Sequence, residues 1–141
     1  MKWIDAQEEF KSFFPGKRSF VHPFEDAREA MGVSQSRKVF TKGQPADYLV
    51  TADGITFYAE VKSSQDPILF ALSRIRKPQW AACIRVTAAK GLYYFFIRQE
   101  LALPVWYKIP AAFFISLQDS GVKSVRWEQL KDYQWNTMIV Q

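Results

Sequence analysis

Residues 47–62 read Asp47-Tyr48-Leu49-Val50-Thr51-Ala52-Asp53-Gly54-Ile55-Thr56-Phe57-Tyr58-Ala59-Glu60-Val61-Lys62. Two runs rich in β-branched and aromatic residues flank Asp53-Gly54. That dipeptide favours a two-residue hairpin turn, because both central positions need positive φ. Such a turn pairs Ala52 with Ile55, and counting outward places Asp47 directly opposite Glu60. Opposed Cβ atoms lie about 4.5–5.5 Å apart, so two carboxylates there repel. Side chains alternate along a strand, so Phe57, Ala59 and Val61 share the buried face while Tyr58, Glu60 and Lys62 share the other. Two acids and a lysine thus converge at the end of the ribbon away from the turn. A divalent cation relieves that repulsion. Mg²⁺ binds through one or two carboxylates, water and phosphate oxygens, and ligand hardness leaves Mn²⁺ as an alternative. Lys62 would then orient or deprotonate an attacking water, or stabilise charge on a phosphate. The plain alternative is that these charges serve only solubility at a strand end.

Around this hairpin lie 141 residues, 48% apolar and 23% charged, with 12 Phe, 6 Tyr and 5 Trp. A chain of this length buries roughly 68% of its extended surface, ample for one core, and one domain spanning 1–141 is expected. Residues 3–14 carry Trp3, Ala6, Gln7, Phe10, Phe13 and Phe14 along one side of a helix that Pro15-Gly16 ends. Ser19–Phe24 is extended, Glu25–Met31 a small helix and Arg37–Thr41 a candidate strand. Beyond the hairpin, Ile68–Leu72 is a short apolar piece. A helix runs from Pro78 to about Lys90, with Gly91 as its stop. Strands are expected at Leu92–Arg98, Val105–Ile109 and near Val122–Arg126, with helices at Pro110–Leu117 and about Glu128–Trp135. The resulting class is α/β, a central mixed sheet of about five strands flanked by helices.

The net charge of +5 is unevenly spread. Residues 61–99 hold seven basic side chains (Lys62, Arg74, Arg76, Lys77, Arg85, Lys90 and Arg98) against one acid, Asp66, and the rest of the chain is slightly acidic. A basic segment that starts at Lys62 and continues beside two carboxylates suits a polyanion. The N-terminus lacks the apolar stretch of a secretory signal, and Leu92–Ile97 is too short to span a bilayer, so a soluble cytoplasmic protein is expected. The lone Cys83 excludes an internal disulfide and a zinc cluster, and its apolar helical setting suits a small buried side chain. The single histidine, His22, disfavours Ser-His or Cys-His catalysis and reads as structural.

Gln44-Pro45-Ala46-Asp47 followed by Glu60-Val61-Lys62 resembles the signature of the PD-(D/E)xK nucleases, with Ala46 inserted between the Pro and the Asp. The order that follows is similar to the Holliday-junction resolvase branch, particularly RecU-type enzymes. It comprises a Ser-rich loop, a basic segment, Gln79 opening a helix, a glycine and the aromatic strand Leu92–Ile97. The resemblance covers roughly residues 37–100. It implies a restriction-endonuclease-like fold and Asp47 and Glu60 as metal ligands. It further implies the Val61 carbonyl as an additional ligand and Lys62 as the catalytic lysine. The family usually adds an acid from the first helix. Glu9 lies on the flank of the aromatic stripe and is the choice, with Glu25, Asp26 and Glu29 as rivals.

Gln79 falls in the first turn of its helix, where an amide can reach a phosphate or the nucleophilic water. Arg74, Arg76 and Lys77 just before it would contact DNA phosphates. Trp80 is read as a core or surface aromatic, with stacking on a base as the alternative, and Trp127, Tyr133 and Trp135 are assigned to packing. The reading is a Mg²⁺-dependent deoxyribonuclease acting on DNA, with branched DNA favoured by the resolvase-like region and a homodimer expected for symmetric cutting. The alternatives are a nucleic-acid-binding module that keeps the fold without turnover and a plain interaction domain.

Overall fold

The computed structural model describes residues 5–24 and 43–136. The expected helix at Glu25–Met31 and strand at Arg37–Thr41, with Glu25, Asp26 and Glu29, lie outside the described residues, as does Trp3. The architecture is α/β, as expected: a five-stranded mixed sheet with helices on both faces.

Helix α1 (Ala6–Ser12) starts where the Asp5 carboxylate accepts the Gln7 N–H at 2.7 Å. Among the described residues, strand β1 (Ser19–Pro23) lies at one sheet edge, antiparallel to β2 (Tyr48–Ala52), which pairs antiparallel with β3 (Ile55–Ser64). The β2–β3 register pairs Ala52 with Ile55 and Tyr48 with Ala59, as the turn chemistry requires. Asp53 and Gly54 have φ of 50° and 82°, both positive. The chain then forms β4 (Leu69–Ala71), a 3-10 turn at Leu72–Arg74 and helix α2 (Lys77–Ala88). It re-enters the sheet as β5 (Tyr93–Gln99), parallel to β3, with β6 (Val105–Pro110) antiparallel beyond it. The order is β1-β2-β3-β5-β6. Helix α3 (Ala111–Asp119) follows, and β7 (Ser124–Arg126) pairs with β4 in a small second sheet that the sequence pattern did not foretell.

Strand alternation divides the core in two. Val50, Phe57, Ala59, Val61, Phe96 and Trp106 face α1, where Phe10 is wholly buried against them. Tyr93, Phe95, Ile97, Tyr107 and Ile109 face α2 and α3, meeting Cys83 and Phe114. Cys83 is fully buried and burial pushes its thiol up to about 12, in keeping with a packing role. Trp127 and Trp135 also pack: Trp127 stacks on Tyr107 and Trp135 sits against Phe96.

Two ends differ from expectation. The last helical stretch is a 3-10 turn, Trp127–Tyr133. Its greater rise per residue carries the chain far enough to bridge Gln134 to Tyr107 and bond the Trp135 N–H to the Trp106 carbonyl at 2.8 Å. At the end of α2 the left-handed residue is Lys90, with φ of 67°, rather than Gly91. Gly91 is needed for a different reason: a Cβ there would lie 2.9 Å from Val86 Cγ1 and 3.2 Å from the Val86 carbonyl oxygen. Gly91→Ala is therefore expected to cost about 1–3 kcal/mol in urea denaturation, through overpacking rather than backbone strain.

Candidate active site

The hairpin register carries Asp47 and Glu60 onto the sheet face that α2 covers, and period-two alternation puts Lys62 beside them. The Asp47 carboxylate turns onto the backbone of β3, where its Oδ2 accepts the Val61 N–H at 2.8 Å. It also lies within hydrogen-bonding reach of the Glu60 carboxyl. Glu60 Oε2 accepts a hydrogen bond from Gln79 Nε2 at 2.5 Å and lies 3.6 Å from Lys62 Nζ. Gln79 works at both ends, since its Oε1 accepts the Arg76 N–H at 2.9 Å and closes the first turn of α2. One amide thus ties the helix start to the Glu60 carboxylate.

Val61 points its side chain into the α1-facing core, but its backbone lies at the site. The N–H and carbonyl of an extended residue face the same neighbour, so the carbonyl faces the side on which Asp47 takes the N–H. Tyr93 buttresses the loop before Asp47, its hydroxyl donating to the Pro45 carbonyl at 2.6 Å.

Burial dominates the electrostatics. It raises Glu60 from the ordinary glutamate range to about 8, with the nearby Asp47 charge adding to the effect. Burial also raises Asp47, against the Val61 N–H and the Lys62 charge, and lowers Lys62 against both carboxylates. Arg74 and Arg76 are exposed on the loop before α2, close enough for their charges to act on Lys62, and Lys77 follows in the first turn. A cleft of about 260 Å³ between α1 and β3, lined by Asp5, Ala6, Gln7, Val61, Lys62, Ser63 and Arg98, opens on the α1 side of the strand that carries the lysine.

Glu9 has partners of its own. Its carboxylate accepts the Trp106 indole N–H at 2.6 Å and pairs with Arg98 at 3.3 Å, among residues on the α1 face of the sheet. The α1 acids whose charges reach the Tyr48 hydroxyl together with Asp47 are Asp5 and Glu8. Burial raises that hydroxyl to about 12, with the charges of Asp47, Asp5 and Glu8 adding to it in that order. Glu9 ties α1 to Arg98 and Trp106, which no local pattern links to the helix. Among the described residues, no three His, Cys, Asp or Glu side chains converge as a metal-binding group.

The donor set still suits a hard cation. Two carboxylates and a backbone carbonyl are all oxygen donors, and two buried carboxyl groups that resist ionising side by side would do so readily around a divalent ion.

Among the described residues no helix is long and apolar enough to cross a membrane. No protein-family model matches the chain, and no curated protein matches it. Among solved structures, the chain is similar to Hjc of Archaeoglobus fulgidus, a Holliday junction resolvase from an archaeal hyperthermophile. The two share 10% identity over 73% of this chain and 69% of that one, with a TM-score of 0.43.

Proposed function

We propose that this chain is a metal-dependent DNA endonuclease that hydrolyses phosphodiester bonds at Asp47, Glu60 and Lys62. The observation that carries the proposal is the convergence of these three side chains with Gln79 on one sheet face, bordered by exposed Arg74, Arg76 and Lys77. Asp47, Glu60 and the Val61 carbonyl would hold Mg²⁺ or Mn²⁺. Such an ion, when bound, supplies Lewis-acid stabilisation of phosphate charge and eases deprotonation of a water.

The chain's own groups supply the rest. Gln79 keeps Glu60 Oε2 fixed, which leaves the carboxylate one defined orientation. Lys62 is buried enough to be pulled towards its neutral form yet borders the cleft. It can therefore take a proton from the attacking water or donate to a phosphate oxygen. Arg74, Arg76 and Lys77 would neutralise flanking phosphates, which position DNA without reading its sequence. Branched DNA is the favoured substrate on the resolvase-like order of residues 37–100, and a homodimer would follow from paired cuts.

Cleavage assays on linear, nicked and four-way-junction DNA test this, with Mg²⁺, Mn²⁺ or chelator. Metal-dependent cuts, strongest on the junction, are expected. Salt-dependent binding with no cleavage under any metal would support the non-catalytic binding module instead.

A further inference from the structure

On the same sheet face as the carboxylates, β1, the edge strand among the described residues, carries aromatic rings outward. Cross-sheet register aligns His22, Leu49, Tyr58 and Tyr93 in one row. Phe20 and Phe24 flank His22 along the strand and so share its face. The rings form a continuous chain. Phe20 lies 6.2 Å from His22, His22 5.9 Å from Phe24, and Phe24 6.1 Å from Tyr58, stacked within 9°. Tyr58 stacks in turn on Tyr93 at 6.0 Å, and Tyr93 holds the Pro45 carbonyl beside Asp47. The inner rings are half-buried or buried, but Phe20 is 67% exposed and His22 is exposed too. An edge strand ordinarily shows charges there, to avoid association. Instead this strip runs from solvent to the active-site carboxylates, with the exposed Lys17 and Arg18 preceding its outer end and Arg74 and Arg76 near its inner one.

We propose that the Phe20–His22–Phe24–Tyr58 strip is a stacking platform for unpaired bases of single-stranded DNA entering the Asp47–Glu60 site. Rings in a row accept successive bases whatever their sequence, and basic side chains at both ends suit the phosphates of one strand. A paired duplex keeps its bases stacked on each other and gains nothing from exposed rings. The substrate assigned here is thus DNA with an unpaired stretch next to the scissile phosphate. This rests on the proposal that the chain acts on DNA, but it makes a separate demand on binding.

The test uses the full chain in chelator. Fluorescence anisotropy would measure affinity for an oligo-dT strand and for a blunt duplex, and a 2-aminopurine within the single strand would report stacking. Phe20→Ala with His22→Ala changes two exposed positions and should leave the melting temperature in place. The pair is expected to weaken oligo-dT binding about tenfold, relieve the 2-aminopurine quenching and leave duplex affinity unchanged. Equal loss on strand and duplex, or no loss on either, overturns the platform. So does a shift from dimer to monomer in sedimentation with single-strand affinity intact, because the strip would then be a subunit contact. Cleavage with no stacking signal defeats this inference alone, and stacking without cleavage defeats only the nuclease reading.

Discussion

Glu60→Gln is expected to lower metal-dependent DNA cleavage by about 10²–10³-fold while making the metal-free protein more stable at pH 8. Both effects have one origin. The side chain is almost completely buried and faces Asp47, so the folded protein holds its proton up to about pH 8. The unfolded chain releases that proton near the ordinary glutamate value of 4.5. Stability contributed by the neutral carboxyl is therefore fully present below pH 4.5 and is lost as pH rises through about 8. A glutamine is neutral throughout, keeps a carbonyl oxygen for the Gln79 amide and removes the repulsion with Asp47. The variant should exceed the parent by up to about 4 kcal/mol at pH 8 in chelator, with the gap closing towards pH 5. Urea denaturation at several pH values reads this directly. A gap independent of pH would mean that Glu60 is not held neutral, and the account of the site would fail. DNA binding by the variant should survive, since one negative charge near the phosphates has been removed.

The hairpin was legible because its register depends on local chemistry. Asp53-Gly54 sets the turn and alternation does the rest, so the opposition of Asp47 and Glu60 needed no knowledge of the tertiary fold. Gln79 was legible as a first-turn residue, but its bond to Glu60, nineteen positions back, depends on how α2 docks. The ending of α2 shows a subtler limit: glycine suggests left-handed backbone, yet Lys90 adopts it and Gly91 provides clearance for Val86. Glu9 was the least legible. The flank of a helix is visible in sequence, but its partner is a buried arginine on β5 and an indole on β6. Long-range polar contacts of this kind leave no periodic trace. Likewise the two-stranded β4–β7 sheet pairs segments more than fifty residues apart, each only three residues long.

Arg98→Ala is expected to destabilise the fold by about 3–5 kcal/mol, because it strands carboxylates in a site built around a cation. Arg98 is 3% exposed. Its guanidinium bonds Glu100, pairs with Glu9 and lies 5.9 Å over the Trp106 ring. Through Glu9 it also holds α1 against the sheet, so its removal loosens the helix that carries Phe10 into the core. Lysine should rescue little, since a single ammonium cannot reproduce the forked contacts or the stacking. Glu9→Gln separates structure from chemistry at the same place. Arg98 keeps Glu100, and the Trp106 N–H can still donate to an amide oxygen, so the cost should be about 1 kcal/mol. Cleavage should then stay near the parental rate, because Glu9 serves α1, whereas the proposed metal ligands would be Asp47, Glu60 and the Val61 carbonyl. Thermal melting and a cleavage time course on the same preparations decide the matter. A Glu9→Gln protein that melts like the parent but no longer cuts would move Glu9 into the metal site and out of its structural role.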